Sequence, residues 1–418
     1  MKIYGVKEAD RAFREGRITV AVYGLGKMGL PLASVFAEKG ARVIGVDIDE
    51  KVVKCVNEGV SHVKGEPGLD ELVERSVREG RLQATIDGVE AAKSSDVMII
   101  LVPAFLNESK RPDLSMVTSA AKAISKGLEK GDLVIVETTV PPGTTKNIVA
   151  PILEESGLKI GEDFGLAHCP ERTMSGRAIK DILGAYPKIV GGIDKKSTET
   201  ATAIYTVINE RGVIPVTSAT TAEMIKIAEG LYRDVNIALA NEIALISSEN
   251  GIDVWEVVEA ANTQPYCNIH KPGPGVGGHC IPVYPWFVMN GETTRLIRTA
   301  REVNDSMPIY VVKKVSETLK HSGRSLNGSN VLVVGLVYRP GIKEMANTPA
   351  RGVIKELRAL GANVFGYDPV LKEEEMKSLL GVESPNGHKI DCTVLLHDCN
   401  YNVNFNTASS VTPLTMFK

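Results

Sequence analysis

A β run that ends in closely spaced glycines and passes straight into a helix narrows the folds open to a chain more than any other local pattern, and residues 18–47 contain one. Residues 18–23 are a short β-branched run, Gly24-Leu25-Gly26-Lys27-Met28-Gly29 follows, residues 30–39 read as a helix, and a second β run over 41–46 ends in Asp47. Strand, glycine turn, helix, strand and an acidic residue about 20 positions on is the context that a dinucleotide fingerprint requires. In that context Gly24 makes the turn, Gly26 admits a pyrophosphate, and Gly29 lets helix pack against strand. The diphosphate would rest on a helix N-terminus, where free amides and the macrodipole favour anions. Asp47 would accept from the adenosine ribose hydroxyls and repel a 2′-phosphate, which favours NAD over NADP, with Lys51 tempering that preference. The plainer alternative is a tight strand–helix turn without a ligand; the strand context and Asp47 weigh against it.

Two further runs, 96–102 and 132–137, are almost wholly apolar, as expected of parallel strands covered on both faces. They end in Val102-Pro103 and in Glu137-Thr138-Thr139-Val140-Pro141-Pro142-Gly143. In a doubly wound sheet ligands sit beyond the carboxyl ends of the strands, so Val102, Pro103 and Thr139 are expected to border the cofactor. A strand over 164–168 leads into Cys169-Pro170-Glu171-Arg172. A carboxylate and a guanidinium there suit a polar, anionic substrate, and Glu171 is a candidate acid or base; surface pairing is the alternative. Strands over 185–192 and 211–216 complete the first domain.

From 218 to 262 the pattern is helical, with Met224, Ile227, Ala228, Leu231, Val235, Ala238 and Leu239 recurring at threes and fours. A helix of that length joins domains or makes a dimer, and it carries Lys226, Asn236, Asn241 and Glu242 among small apolar residues. Residues 271–285 then hold four glycines and four prolines around Cys280, which excludes an ordinary helix or strand and reads as a built loop with a candidate nucleophile. A second helical region, 284–322, contains Arg298, Arg301 and Asn304-Asp305. After a linker at 325–330, a strand over 331–336 runs into Gly335-Leu336-Val337-Tyr338-Arg339-Pro340; a helix over 348–360 and a strand over 363–367 lead to Asp368-Pro369. This is a second α/β unit without the glycine triplet. The last stretch, 400–418, is rich in Asn, Thr and Ser and reads as loosely ordered.

The expected fold is therefore α/β, two Rossmann-like doubly wound domains joined by a central helical segment with one long helix. Its boundaries are 1–216, 217–323 and 324–418. A length of 418 residues with 43% hydrophobic and 24% charged side chains suits such a multidomain globular chain. A net charge of −3 provides no basic field for nucleic acid or an anionic membrane. The six cysteines, Cys55, Cys169, Cys267, Cys280, Cys392 and Cys399, show no paired spacing for a structural metal and indicate a reducing compartment. Residues 1–17 lack the apolar core of a signal peptide and no later run approaches a membrane span, so a cytoplasmic location without metal, membrane or nucleic-acid partner is expected.

In order along nearly the whole chain, Gly24 to Gly29 with Asp47, Pro112-Asp113-Leu114-Ser115, Thr139-Val140-Pro141, Pro170-Glu171, Lys226, Gly-x-Gly-Gly-x-Cys at 275–280 and Gly335 to Arg339 resemble the UDP-glucose/GDP-mannose dehydrogenases. These NAD-dependent enzymes oxidise a nucleotide sugar at C6 from alcohol to carboxylate. Arg233-Asp234-Val235-Asn236-Ile237-Ala238 and the Cys280 loop with Pro285-Trp286-Phe287 look most like members acting on UDP-N-acetylmannosamine, with those acting on UDP-N-acetylglucosamine or UDP-glucose as alternatives. The resemblance implies an NAD domain, a central dimerisation segment giving a homodimer or higher homo-oligomer, and a UDP-sugar domain. It makes Cys280 the nucleophile that forms a thiohemiacetal and then a thioester, and Lys226 the group that stabilises alkoxide and oxyanion. Glu171 becomes the base for hydrolysis and Thr139 the residue ordering water near the nicotinamide. Glu171, Arg172, Lys226, Asn236, Lys271, Gly278, Tyr338 and Arg339 become contacts of the UDP-sugar.

Three positions depart from the resembled pattern. Tyr284 stands where an Asp is common four residues after the cysteine, Gly230 where an Asn is common four residues after the lysine, and Ala346 where an Arg is frequent, with Lys343 and Glu344 in register. Asn236 or a water is expected to supply part of the missing hydrogen bonding. A two-electron β-hydroxyacid-type dehydrogenase and a non-catalytic NAD-binding scaffold are the competing readings.

Overall fold

The computed structural model describes residues 2–5, 10–289, 292–397 and 407–417. Cys399 lies outside them, as do residues 400–406 and 418 of the tail. The chain divides into two compact units, Met1–Ala228 and Glu229–Lys418.

The first unit is built on one eight-stranded sheet: β1 (Thr19–Tyr23), β2 (Arg42–Val46), β3 (Leu82–Thr85), β4 (Val97–Ile100), β5 (Leu133–Val136), β6 (Gly165–His168), β7 (Lys188–Gly192) and β8 (Val213–Pro215), in the order β8-β7-β6-β5-β4-β1-β2-β3. The segment β3-β2-β1-β4-β5-β6 is parallel throughout and has the doubly wound dinucleotide order. The β7 strand then pairs antiparallel with β6, through Ala167 opposite Gly192, before β8 resumes a parallel pairing.

The reason for the unbroken apolar runs is visible in where alternate side chains go. Val20 and Val22 of β1, Val97 and Ile99 of β4 and Leu133 and Ile135 of β5 belong to the core on one face. Ala21 and Tyr23, Met98 and Ile100, and Val134 and Val136 belong to the core on the other. Successive residues of a strand point to opposite faces, so a sheet covered on both sides needs hydrophobes at every position.

The second unit repeats the scheme on four parallel strands, β9 (Asn330–Val334), β10 (Asn363–Tyr367), β11 (Cys392–Leu395) and β12 (Ser410–Val411), ordered β10-β9-β11-β12. The turn devices correspond. Gly24 (φ +96°) follows β1 and Gly335 (φ +89°) follows β9, and the next residue, Leu25 or Leu336, donates its amide to the aspartate that ends the neighbouring strand, Asp47 or Asp368.

The long helix, α1 (Ala219–Glu249), stops short of the single stretch expected over 218–262. Asn250-Gly251, with Gly251 at φ +66°, ends it, and Asp253 caps a separate helix, α2 (Val254–Ala261), by accepting from the Trp255 amide. The second helical region likewise contains a short 3-10 turn at Tyr284–Phe287 before α3 (Arg295–His321). A polar composition misled the reading of the tail over residues 407–417. They form β12 and a turn of helix at Pro413–Met416, with Met416 and Phe417 buried and Phe417 stacked on Tyr310 at 5.8 Å.

Two predictions follow from the core. Phe417→Ala empties a filled site and is expected to lower stability by about 3 kcal/mol, read as a drop in urea midpoint; an unchanged midpoint would show that the tail does not close this core. His168, fully buried at the end of β6, is held down at about 3 by burial and then by the Lys188 charge, against an ordinary 6.5. Its folded value is depressed, so the unfolded chain takes the proton first. The stability it contributes is intact above pH 6.5 and is lost as pH falls towards 3, by at most about 1.4 kcal/mol per pH unit. His168→Gln should flatten the fall in urea midpoint between pH 7 and pH 5, and an unaltered slope would sink this assignment.

Candidate active site

In the first unit the glycine turn has the shape that a dinucleotide needs. A Cβ on Gly24 would stand 2.7 Å from the Leu101 carbonyl oxygen, and one on Gly29 only 1.8 Å from that of Gly24, so both positions exclude any side chain. A Cβ on Gly26 would meet nothing within 4 Å. The backbone there faces open space, which is the room a pyrophosphate requires, and Lys27 beside it is exposed. Asp47 accepts from the Leu25 amide at 2.9 Å through one oxygen and from the Asp49 amide at 3.0 Å through the other. Each oxygen keeps a second lone pair, so the carboxylate can hold the turn and still accept a ribose hydroxyl. The residues present therefore fit NAD.

Thr138, not singled out in the sequence, donates its hydroxyl to the Val102 carbonyl at 2.7 Å and ties together the two loops that carry Val102-Pro103 and Thr139. Its one sequence signal was its place beside Thr139. Val102 and Thr139 are half-buried and Pro103 is exposed.

Beyond β6 the chain brings Glu171, Arg172 and Met28 to one cleft, which Glu137, Lys188 and Tyr205 also line. The Glu171 amide donates to the Glu137 carbonyl at 3.0 Å. Its carboxylate accepts from the Thr173 hydroxyl at 2.5 Å, and that hydroxyl lies 2.8 Å from the Met28 sulfur, linking this loop to the glycine turn. The other carboxylate oxygen is 3.9 Å from the Lys226 ammonium, both side chains being largely buried. A carboxylate and an ammonium so placed can take up and neutralise charge on one substrate oxygen. Arg172 donates to the Pro187 carbonyl at 3.1 Å and lies 5.0 Å from the Tyr186 ring centre. Under these groups, Glu137 is fully buried and paired with Lys188 at 2.9 Å; burial pushes its carboxyl up, and Lys188 pulls it back.

In the second unit the Cys280 loop is held at several points. Asn236 accepts from the His270 amide at 2.8 Å and donates to the Asn268 carbonyl at 2.7 Å, so its amide group braces the lead-in to exposed Lys271. Asn241 accepts from the Gly273 amide at 2.9 Å and donates to Asn304, which donates to Asp234; Arg301 closes this buried network on Asp234 at 2.5 Å. Gly278 (φ +97°) abuts the Tyr338 ring, where a Cβ would come within 3.0 Å, its amide donating to the Ala346 carbonyl at 2.8 Å and its carbonyl accepting from Asn347 at 3.0 Å. His279 pairs with Glu344 at 2.6 Å. Burial pushes the Tyr338 phenol up to about 12, with Glu344 adding to the effect, so it stays a protonated donor. Cys280 follows, exposed, as does Arg339 after Tyr338. Among these, the Glu344 and Asn347 contacts were missed, because their partners lie more than 60 residues away in sequence.

Three stretches match the UDP-glucose/GDP-mannose dehydrogenase family: its NAD binding domain over residues 18–209, its central domain over 220–306 and its UDP binding domain over 332–407. A UDP-N-acetyl-D-mannosamine dehydrogenase of Pyrococcus horikoshii is 40% identical over 355 residues, 84% of either chain. An NDP-N-acetyl-D-galactosaminuronic acid dehydrogenase of Ralstonia solanacearum is 40% identical over 404 residues, 93% of this chain and 92% of that one. The solved structure of the UDP-D-ManNAc dehydrogenase from Pyrococcus horikoshii superposes with a TM-score of 0.85 at 35% identity, covering 94% of both chains. With the glycine turn, the Glu171–Lys226 pair and the braced cysteine loop in place, this chain belongs to the UDP-glucose/GDP-mannose dehydrogenase family, NAD-dependent enzymes acting on nucleotide sugars.

Proposed function

We propose that this enzyme oxidises UDP-N-acetylmannosamine at C6 to the uronate in a four-electron reaction that passes through Cys280. The observation carrying the proposal is the Cys280 loop itself, an exposed thiol at the end of a backbone fixed by four separate contacts to Glu344, Ala346, Asn347 and the Tyr338 ring. A two-electron alcohol dehydrogenase has no use for such a thiol. The N-acetylhexosamine preference draws on the names of the relatives reported above; the galactosamine-type relative makes UDP-N-acetylgalactosamine the second substrate to try.

NAD, held by the Gly24 to Gly29 turn and Asp47 beside Val102, Pro103 and Thr139, supplies the oxidising power by accepting hydride. The C6 hydroxyl gives its proton to a base as C6 gives up its first hydride, which leaves the aldehyde; the thiolate of Cys280 then forms a C–S bond with that carbon as the carbonyl π bond breaks, the oxygen becoming an alkoxide that Lys226 neutralises. Loss of the remaining C6 hydride leaves a thioester. Glu171 takes a proton from water as it attacks, the C–S bond breaks, and carboxylate and thiol are released. Thr139 orders that water. Arg172, Lys271, Gly278, Tyr338 and Arg339 hold the UDP-sugar, with Tyr338 and Arg339 beyond β9 on the uridine diphosphate side, and Asn236 serves by bracing the backbone that leads to Lys271. The charge balance and the scattered cysteines support a cytoplasmic site of action.

A homodimer is supported by an apolar stripe on α1. Tyr232, Leu239 and Ile246 recur every seven residues and are 53%, 50% and 59% exposed. A sevenfold repeat keeps one face of a helix against a partner helix, and a second copy of the same stripe is its natural cover. Leu239→Lys should shift the sedimentation coefficient to that of a monomer; an unchanged dimer would place the interface elsewhere.

The reaction class is tested by NADH released per sugar consumed across a panel of UDP-sugars. About two per sugar is expected, with the mannosamine derivative fastest; one per sugar would mean a simple alcohol dehydrogenase, and none a binding protein. Cys280→Ser should abolish carboxylate formation, a loss of at least about a thousandfold, while NAD affinity stays near wild type. Acid production at the normal rate would rule out the covalent route.

A further inference from the structure

Two of the three positions at which this sequence departs from the resembled pattern meet each other. Gly230 is buried inside α1, where glycine is less favourable than alanine because it gives up more backbone entropy. The structure shows what stands in the place of its missing side chain. A Cβ on Gly230 would be 2.7 Å from Cδ2 of Tyr284, 3.3 Å from its Cβ and 3.4 Å from its Cγ. The ring of Tyr284 is seated in a notch that only glycine leaves, 8% exposed, with Phe287 beside it at 5.9 Å between ring centres.

The seat bears directly on the cysteine. The amide of Tyr284 donates to the Cys280 carbonyl at 2.9 Å, and that of Val283 donates to the same oxygen at 3.0 Å. Cys280 is thus the first residue of a closed turn whose last residue is the one wedged against α1. On its other side, Gly277 and Gly278 abut Tyr338, where a Cβ would come within 2.5 Å and 3.0 Å of that side chain. One tyrosine holds the segment before Cys280 and another holds the segment after it. By sequence, Gly230 lies one helical turn beyond Lys226.

We propose that Gly230 and Tyr284 form a single coupled device, a ring in a glycine notch, that positions Cys280 for its chemistry. Tyr284 is a positioning residue: it acts through the backbone of the cysteine turn, and volume has moved from residue 230 to residue 284. The large ring at 284 is tolerated only because 230 has no side chain, so the two positions exchange as a pair. This inference rests on Cys280 being the nucleophile, and the experiment separates the two claims.

Gly230→Ala, Gly230→Asn, Tyr284→Asp and the double variant Gly230→Asn/Tyr284→Asp are compared with the wild-type enzyme. Three readouts are taken: kcat and KM, the rate of Cys280 alkylation by iodoacetamide resolved by peptide mass, and thermal melting as the check on folding. Gly230→Ala pushes the ring out of its seat and is expected to lower kcat about tenfold with KM for NAD within about threefold, and to shift the alkylation rate by at least about threefold. Each other single variant is expected to lose at least as much, and the double variant to recover most of the loss, a non-additivity that independent sites do not show. Wild-type kcat and alkylation rate in Gly230→Ala would overturn the proposal. So would single losses that simply add in the double variant, whose two side chains test the pairing even if a single variant does not fold. If the wild-type enzyme releases no NADH from any sugar, the reading of its function fails, while the alkylation rates still decide whether residues 230 and 284 position the thiol.

Discussion

The Cys280 loop depends on one buried ion pair. Arg301, from α3, meets Asp234, from α1, at 2.5 Å with both side chains out of water. Burying two charges is costly unless the geometry is good and the remaining donors and acceptors are used. Here Asn304 donates to the same carboxylate oxygen and to the Asp234 backbone carbonyl, and Asn241 continues the chain of bonds out to the Gly273 amide, while Asp234 Oδ2 and Arg301 Nε stay buried without a hydrogen bond among the described residues. Burial pushes the Asp234 carboxyl up and the Arg301 charge opposes that, so the carboxylate depends on its partner. A loop with four prolines has few amides to give, and the network reaches it through one of them. Removing Arg301 would strand the Asp234 carboxylate inside the unit, whereas Arg301 has a second partner in Asp305; the pair is a register mark for the two long helices and for the loop they carry.

The two units use one device for two tasks. In each, a left-handed glycine ends the first strand, the following leucine amide is captured by an aspartate on the next strand, and a glycine in that strand makes room for the leucine: a Cβ on Gly45 would meet Leu25, and one on Gly366 would meet Leu336. They diverge one residue later. Gly26 opens onto empty space, whereas its counterpart Val337 is buried, its carbonyl engaged by His397 at 2.5 Å, and the His397 ring lies where a Cβ on Gly335 would go. The same turn is therefore open for a diphosphate in the first unit and filled by side chains in the second. Tyr338 and Arg339, just beyond it, are turned to the cysteine loop and to solvent instead.

Much of this was legible from local pattern. The first sheet could be read because a strand covered on both faces must be apolar at every position, and the glycine turn because a close helix–strand approach leaves no alternative to glycine at Gly24 and Gly29. The end of the long helix was missed, since the apolar spacing continues across Asn250-Gly251 and a single left-handed glycine decides the break. The tail was misjudged because composition averages over residues: two buried ones, Met416 and Phe417, tie the described part down against a polar background. Asn236 was read as a polar residue near the chemistry, and both ends of its amide are instead committed to the backbone at Asn268 and His270.

Sequence alone determined the family and the candidate residues, because a thiol on a rigid loop, a lysine on a helix and a dinucleotide turn are each encoded within a few consecutive positions. What tertiary structure alone decided is which departures belong together. Gly230 and Tyr284 are 54 positions apart and look like two separate losses in the sequence; in the fold the ring of one fills the space left by the other. Local encoding carries the elements, since their hydrogen bonds close within a turn or two. Volume and burial are properties of neighbours brought together only when the chain has folded, and no spacing along the chain announces them.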